Sequence, residues 1–448
     1  MLSTEAAQDR ASALVDRALR AGADAADVAY IADASESIQV RLGKLEDVER
    51  SEGEHISLRV FSGRRSASIG SSDLSEAALD ELAARAVDMA RAAPEDPYAG
   101  LAPAELLSRA PFAPLDLLDP NEPSPQALRA AAEAAEDAAR AVAGITNSDG
   151  ASASTGRAVF ALATSHGFAG AYETSSHAIS ASVIAGEGAA KQRDYAWRQA
   201  RHHDALPSPQ EIGKLAGDRT AARLNPGRVR SGPSPVIFDP RVGGSLVSHL
   251  VGAMSGPSIA RRSSFLLDRL EEQLFDSSIA LVENPHMPRG LRSRPFDGEG
   301  LATRPRRLVD GGRITGWLME SASARQLGKE PTGHASRGHG GAPGVSVGNL
   351  HLEPGTATPA ELMAGIEDGV YLTDLIGHGV NGVTGDYSRG ASGFRIVGGE
   401  IAGPIAEFTI AGNLIDMFAA MTLANDLEWY RAINVPTIRI DGMMLAGD

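Results

Sequence analysis

Residues 377–413 read GHGVNGVTGDYSRGASGFRIVGGEIAGPIAEFTIAGN, and the reading of this stretch decides how the C-terminal half of the chain is understood. Glycines at 377, 379, 382, 385, 390 and 393 are interleaved with Asn381, Thr384, Asp386, Tyr387, Ser388 and Arg389. Glycine costs backbone entropy and sits where a chain needs positive φ or close backbone approach. Such a density of glycine and hydrogen-bonding side chains predicts a shaped loop over 377–394, not a helix or a central strand. Gly385 and Gly390 are the positions expected to need positive φ. Asn381, Gly385, Asp386, Tyr387, Ser388 and Arg389 are the candidate substrate-binding residues. Asn, Asp and Ser also stabilise turns within one chain, so the same set reads equally as a structural turn.

Working outward, 401–424 is apolar but interrupted by Glu407, Asn413 and Asp416, which argues against a membrane span. A helix is expected over 414–423. Many short apolar runs separated by Gly and Pro fill 235–400, the pattern of an irregular, mainly antiparallel β domain. A further helix is expected over 243–254, and the Gly, Pro and Arg of 225–235 mark a boundary before it. Upstream, Ser208-Pro209-Gln210-Glu211 is a capping box that starts a helix to about Leu224. Ser124-Pro125 opens an Ala-rich helix to Val142, with strands expected over 159–163, 170–173 and 178–184. The first hundred residues repeat that order: a helix over 5–21, alternating strands at Ile38–Leu42 and Ile56–Val60, a short strand near 67–69, and a helix capped by Asp73 with Glu76. Proline-rich 94–123 reads as a linker or surface connection. The fold class is therefore α+β. An N-terminal region of helix-strand-helix units (1–95 and 96–228) precedes a large, mainly antiparallel β domain (229–448).

Composition excludes several functions. The chain has 448 residues and a formal net charge of −15, which disfavours nucleic-acid binding because phosphate contacts need clustered Lys and Arg. The absence of cysteine removes disulfides, zinc-thiolate sites and thiol nucleophiles. The start MLSTEAAQDR carries neither a basic segment nor an apolar core, so no secretory signal is expected and a cytoplasmic home is the simplest fit. No GxSxG elbow, phosphate loop or dinucleotide fingerprint is present. His334 and His339 share a Gly-rich loop in which two imidazoles could approach. His202 and His203 are adjacent and would point to opposite faces of a strand. Asp297, Glu299 and Asp310 are acidic residues on β loops, where solvation is the ordinary state.

The phrases GVNGVTGDYSRGASGF and EFTIAGNL resemble the C-terminal signature of the TldD/PmbA family, in its PmbA (TldE) branch. SPVIFDPRVGGSLVSHLVGAMSG (234–256), SRPFDGEG (293–300), RLVDGGRITGWLMESASARQLG (307–328) and PTGHASRGHGG (331–341) stand in the corresponding order. The resemblance implies a three-part layout and a role in peptide-bond hydrolysis. In the TldD branch the helix after the second boundary carries HExxxH, whose histidines bind a metal and whose glutamate is the general base. Laid on LVSHLVGAMSG, those positions fall on Ser248, His249 and Ala253. Serine and alanine are not zinc ligands and a histidine does not replace the carboxylate. The family's completing cysteine is also missing. The resemblance thus implies no catalytic residue, metal ligand or cofactor in this chain. It implies a TldD-like partner subunit that holds a zinc-type metal, and peptides or unfolded proteins as substrates. A homodimer is possible in the partner's absence, with no nucleic acid and no membrane involved. Two other readings stay open: a metallopeptidase active by itself, and a non-enzymatic, homodimeric peptide binder or modulator.

Overall fold

A computed structural model describes residues 1–447. The N-terminal half builds one six-stranded antiparallel sheet. Helix α1 (Thr4–Arg20) leads into strands β1 (Ala25–Arg41), β2 (Lys44–Ser62) and β3 (Arg65–Ser71), closed by α2 (Glu76–Ala92). Helix α3 (Pro125–Arg140) then leads into β4 (Ile145–Thr164), β5 (Ala169–Ala185) and β6 (Gln192–Ala200), closed by α4 (Pro209–Ala222). The order β3-β2-β1-β4-β5-β6 joins the two helix-strand-helix units edge to edge, through β1 and β4 paired from Asp27–Thr164 to Val40–Ala151.

Strand alternation assigns each face. Ala26, Val28, Tyr30 and Ala32 of β1, with Ile56, Leu58, Val60, Val159, Ala161 and Ala163, pack under α1 and α2. Ala29 and Leu162 point the other way, into a cluster with Phe168 and Phe296. Both faces of the sheet are thus covered, by helices on one side and by the C-terminal half on the other.

The capping box at Ser208 and Glu211 is present, as expected, and α4 packs closely on α3. A Cβ on Gly213 would lie 2.0 Å from the Ala135 carbonyl oxygen, so these helices meet at a distance that glycine alone permits. Helix α2 is capped by Ser75 instead of Asp73. Asp73 accepts from the Ser75 N–H, a local turn that sets up the cap.

The expected strands of the second unit are too short. β4 reads ITNSDGASASTGRAVFALAT, whose first half is Ser, Ala and Gly with little intrinsic strand preference. It is a strand because β1 and β5 pair with it on both edges. β6 carries no alternation that announces it and was not expected. The proline-rich connection lies against the C-terminal half, where the Arg325 guanidinium donates to the carbonyls of Tyr98, Gly100 and Leu101 at 2.8–3.0 Å.

The C-terminal half begins with β7 (Gly232–Phe238), α5 (Pro240–Ala253) and α6 (Gly256–Ala260). Next come β8 (Leu281–Asn284), β9 (Arg306–Asp310), β10 (Arg313–Ile314) and α7 (Ser321–Gln326). They are followed by β11 (Ala335–Ser336), β12 (Gly344–Val345), β13 (Asn349–Leu352) and α8 (Pro359–Met363). The long strands β14 (Asp368–Val380), β15 (Asp386–Val397) and β16 (Glu400–Asn413) precede α9 (Leu414–Ala419), β17 (Met421–Leu423), β18 (Ile433–Asn434) and β19 (Ile438–Ala446). One sheet runs β10-β9-β8-β13-β18. Another runs β16-β15-β14-β7-β19-β17, and β16 also pairs with β19. That extra pairing closes β16, β15, β14, β7 and β19 into a ring, which removes the open edges a flat sheet would expose. Apart from β13–β18 and β14–β7, which are parallel, the pairings are antiparallel. No helix among the described residues is long and apolar enough to cross a membrane.

The two halves are joined by buried charge. Arg59 Nε donates to Asp27 at 2.9 Å and its Nη2 lies 3.1 Å from Glu299. Arg337 pairs with Asp27 at 2.6 Å, and Ser321 closes the other side of Glu299 at 2.6 Å. Asp297 and Glu299 are therefore not solvated, as loop acids were expected to be. Asp297 accepts from the N–H groups of Glu299, Leu301 and Ala335. Asp310 is apart from both, paired with Arg307.

Burial, and then the neighbouring Glu299, push Asp297 up to about 7 against those backbone donors. An unfolded aspartate titrates near 3.8. The raised folded value makes Asp297's contribution fully present below about pH 3.8 and lost as pH rises through about 7. Asp297→Asn removes this dependence. Across that window the wild-type chain is expected to lose about 2–4 kcal/mol relative to the variant, read from urea midpoints at several pH values. Parallel pH profiles would show that Asp297 titrates normally.

Candidate functional site

The glycine-rich segment is not a loop. Residues 386–397 form β15, a strand paired along both edges, with β14 and with β16; the turn is confined to 381–385. Close approach explains the glycines. A Cβ on Gly379 would lie 2.1 Å from the Ser388 carbonyl oxygen, and one on Gly393 would lie 2.0 Å from that of Tyr371. Positive φ is needed at Gly385 (82°). Gly390 does not have it, contrary to expectation, and a Cβ there meets nothing closer than 3.4 Å.

The turn uses two of the candidate residues internally. Asn381 Oδ1 accepts from the N–H groups of Val383 and Thr384. Asp386 accepts from the Thr384 hydroxyl at 2.6 Å and from Asn413 Nδ2 at 3.2 Å. The Gly385 carbonyl accepts from Leu414 N–H at the start of α9. Ser388 is exposed on β15. Tyr387 is buried and points toward α5, where its ring meets that of His249 edge-on at 6.2 Å. Neither the Tyr387 hydroxyl nor His249 Nε2 has a hydrogen-bond partner. Burial pushes the Tyr387 hydroxyl up to about 12.

Helix α5 is thus set directly against the glycine-rich strands. It starts at Pro240 with Asp239 as cap, three residues earlier than expected, and Gly243 packs within it against Ile438 and Val435. Ser248 is exposed and donates to the Gly244 carbonyl at 3.1 Å; Ala253 is buried. Burial, followed by the neighbouring Arg389 and His378, pushes His249 below the usual histidine value, leaving a neutral ring at pH 7. This helix offers one neutral imidazole, no carboxylate and no second ligand, and does not fit a catalytic zinc.

The other histidines do not combine either. His334 is buried, donating to or accepting from Thr332 at Nδ1 and bonded to Glu283 through Nε2 at 2.8 Å. His339 instead meets His55, with ring centres 5.0 Å apart. His202 bonds the Asp116 carbonyl and His203 stacks edge-on against His177. Among the described residues no group of three or more His, Asp and Glu is placed to hold a metal ion.

Ser248 and Arg389 line a common cleft of about 400 Å³ with Arg241, Arg292, Arg431 and Trp197. The last four were missed in sequence. They come from β6, α5 and two loops, and the sole signal was local: Arg289, Arg292 and Arg294 fall within six residues of an otherwise acidic chain.

Three domains of the PmbA/TldA metallopeptidases match this chain in order: domain 1 over 26–90, the central domain over 118–224 and the C-terminal domain over 231–447. The chain belongs to the PmbA/TldD family. It is 38% identical to the metalloprotease PmbA of Escherichia coli O157:H7 over 95% of this chain and 92% of that one. It is 36% identical to a PmbA homologue of Haemophilus influenzae over 97% and 94%. A candidate modulator of DNA gyrase from Bacteroides thetaiotaomicron, solved by crystallography, superposes with a TM-score of 0.91 at 26% identity over both whole chains. TldE from Thermococcus kodakarensis shares the fold, with a TM-score of 0.85 at 20% identity over 97% of this chain and 99% of that one. The family's α+β architecture, with its antiparallel β-rich C-terminal half, is the one described above.

Proposed function

We propose that this chain is the non-metal subunit of a cytoplasmic, two-chain metallopeptidase. A TldD-like partner carrying HExxxH supplies the zinc-type metal and the general base, and the substrates are peptides or unfolded proteins. The observation that carries this reading is helix α5. It is fully formed and packed against the glycine-rich strands, yet Ser248, His249 and Ala253 stand at the three chemical positions. A scaffold kept without its ligands fits a chain that completes a site held elsewhere.

The neighbouring surface suits contact with a second chain and an extended peptide. Ile376 and Val383 are 63% and 56% exposed. β14 pairs with β7 over Val370–Leu372 alone, while Gly379 and Val380 pair with β15 on the opposite edge. Beyond Leu372 the β7-side edge therefore has no strand partner among the described residues and suits strand-like pairing. β15, paired on both sides, has no such freedom, and its contribution reduces to Ser388 and Arg389.

Each purified subunit is expected to leave an unfolded test polypeptide intact, while the mixture cuts it. Elemental analysis of this chain alone should find far less than one equivalent of transition metal. Cleavage by this chain alone, or about one bound zinc, iron or manganese per chain, would replace the reading with an independent metallopeptidase. A mixture that forms a complex without cutting would favour the non-enzymatic modulator.

A further inference from the structure

The cleft beside Ser248 is one end of a longer groove. Two further clefts, of about 510 and 470 Å³, adjoin it, and all three share Arg431. Together they follow β6, the outermost strand of the large sheet, where it faces the C-terminal half.

The groove's charge is opposite to the protein's. The chain as a whole carries 57 acidic against 42 basic residues. The groove presents arginines throughout, no lysine, and two acids, Asp33 and Asp374. Arg157, Arg198, Arg241 and Arg289 are paired with carboxylates of this chain. Arg201, Arg292, Arg389 and Arg431 form no ion pair with any described residue. Arg201 is spent on backbone carbonyls, and Arg389 makes long contacts of 3.3 and 3.5 Å to Ile376 and Leu375. Arg431 donates through Nη1 to the Arg241 carbonyl at 3.2 Å and keeps a buried Nε without a partner. Guanidinium groups that lack a carboxylate of their own chain, in a confined groove, match carboxylates in bidentate geometry.

Phosphate also pairs with arginine, but the net charge of −15 argues against nucleic acid. Single strands bind by stacking bases on open rings. Here Arg431 lies 5.0 Å over Trp197, and Arg198 and Arg431 lie 4.1 and 5.1 Å from the Tyr430 ring. Those two rings are covered by arginine, whereas Trp429 and Tyr195, 52% and 46% exposed, also line the groove, so oligo(dT) is kept as a comparison in the test.

We propose that this groove binds an extended, carboxylate-rich polypeptide segment, selecting substrates that carry clustered Asp and Glu. The inference rests on the peptide-handling role proposed above, yet its test needs neither the partner nor cleavage, so the two can fail separately. The full chain is titrated into a fluorescein-labelled peptide of alternating glutamate and alanine, its glutamine counterpart, and a labelled oligo(dT), with anisotropy as the readout. Binding to the glutamate peptide is expected to be at least about tenfold tighter than to the glutamine peptide and to weaken as salt is raised. Arg292→Glu with Arg389→Glu should weaken it about tenfold or more at an unchanged melting temperature. Should that pair fail to fold, Arg292→Gln alone, at a side chain with no hydrogen-bond or ion-pair partner among the described residues, should weaken it about threefold. Equal binding of the two peptides, unchanged binding by the variants, or tighter binding of oligo(dT) than of the glutamate peptide would each overturn the proposal.

Discussion

Replacing Arg59 with methionine is expected to lower folding stability by about 3–5 kcal/mol, the range for breaking a buried ion pair from one side. Arg59 sits between Asp27 and Glu299, and the three are 5%, 1% and 2% exposed. Although burial opposes ionisation of Asp27, Arg337 and Arg59 hold its carboxyl below the ordinary aspartate value. Without Arg59, Asp27 keeps Arg337, but Glu299 keeps just the Ser321 hydroxyl and backbone N–H. A charge would then be left in the seam between the N-terminal sheet and the C-terminal half, with Arg325 near it but no cation in hydrogen-bond contact. Methionine preserves much of the volume, so the loss reports on charge rather than on a cavity. Since the folded value of Asp27 is depressed, its contribution is present above about pH 3.8 and lost as pH falls below that; the variant's acid limb should be shallower. Urea denaturation reads both effects. A change under about 1 kcal/mol would mean that the network is electrostatically neutral to stability, as some fully buried ionic clusters are.

Gly393→Val is expected to prevent the C-terminal half from folding, while Gly390→Val is tolerated. The two glycines lie on the same strand, and neither has positive φ. They differ in what stands opposite. The added Cβ at 393 would lie 2.0 Å from the Tyr371 carbonyl oxygen and 2.9 Å from Leu372 Cα, whereas at 390 it meets Ile376 Cβ at an ordinary 3.4 Å. Backbone atoms cannot move aside without breaking the β14–β15 ladder, and a loss above about 4 kcal/mol follows. Gly385→Val should fall between them, at about 1–3 kcal/mol, because its φ of 82° is strained for a branched residue. Soluble yield and melting temperature rank the three. An equal effect at 390 and 393 would refute close approach as the reason for these glycines.

The chain's own letters were enough for what depends on neighbours three or four residues away, or on residue type alone. Ser208 and Glu211 cap α4 because both partners lie within one helical turn. Ile56, Leu58 and Val60 face one way because strand side chains alternate. The mismatch of Ser248, His249 and Ala253 to a metal site is chemistry that no folding can amend. Tertiary structure decided the rest. Ser- and Gly-rich 145–158 and 386–397 are strands because other strands pair with both of their edges, an effect with no local periodicity. Glycine at 393 marks a close approach instead of a turn, since the Tyr371 carbonyl that forbids a side chain there is brought in by pairing. Asp297 and Glu299 are buried because two halves of the chain meet over them. The arginines of the groove converge from positions more than two hundred residues apart, and distance in sequence carries no record of proximity in space.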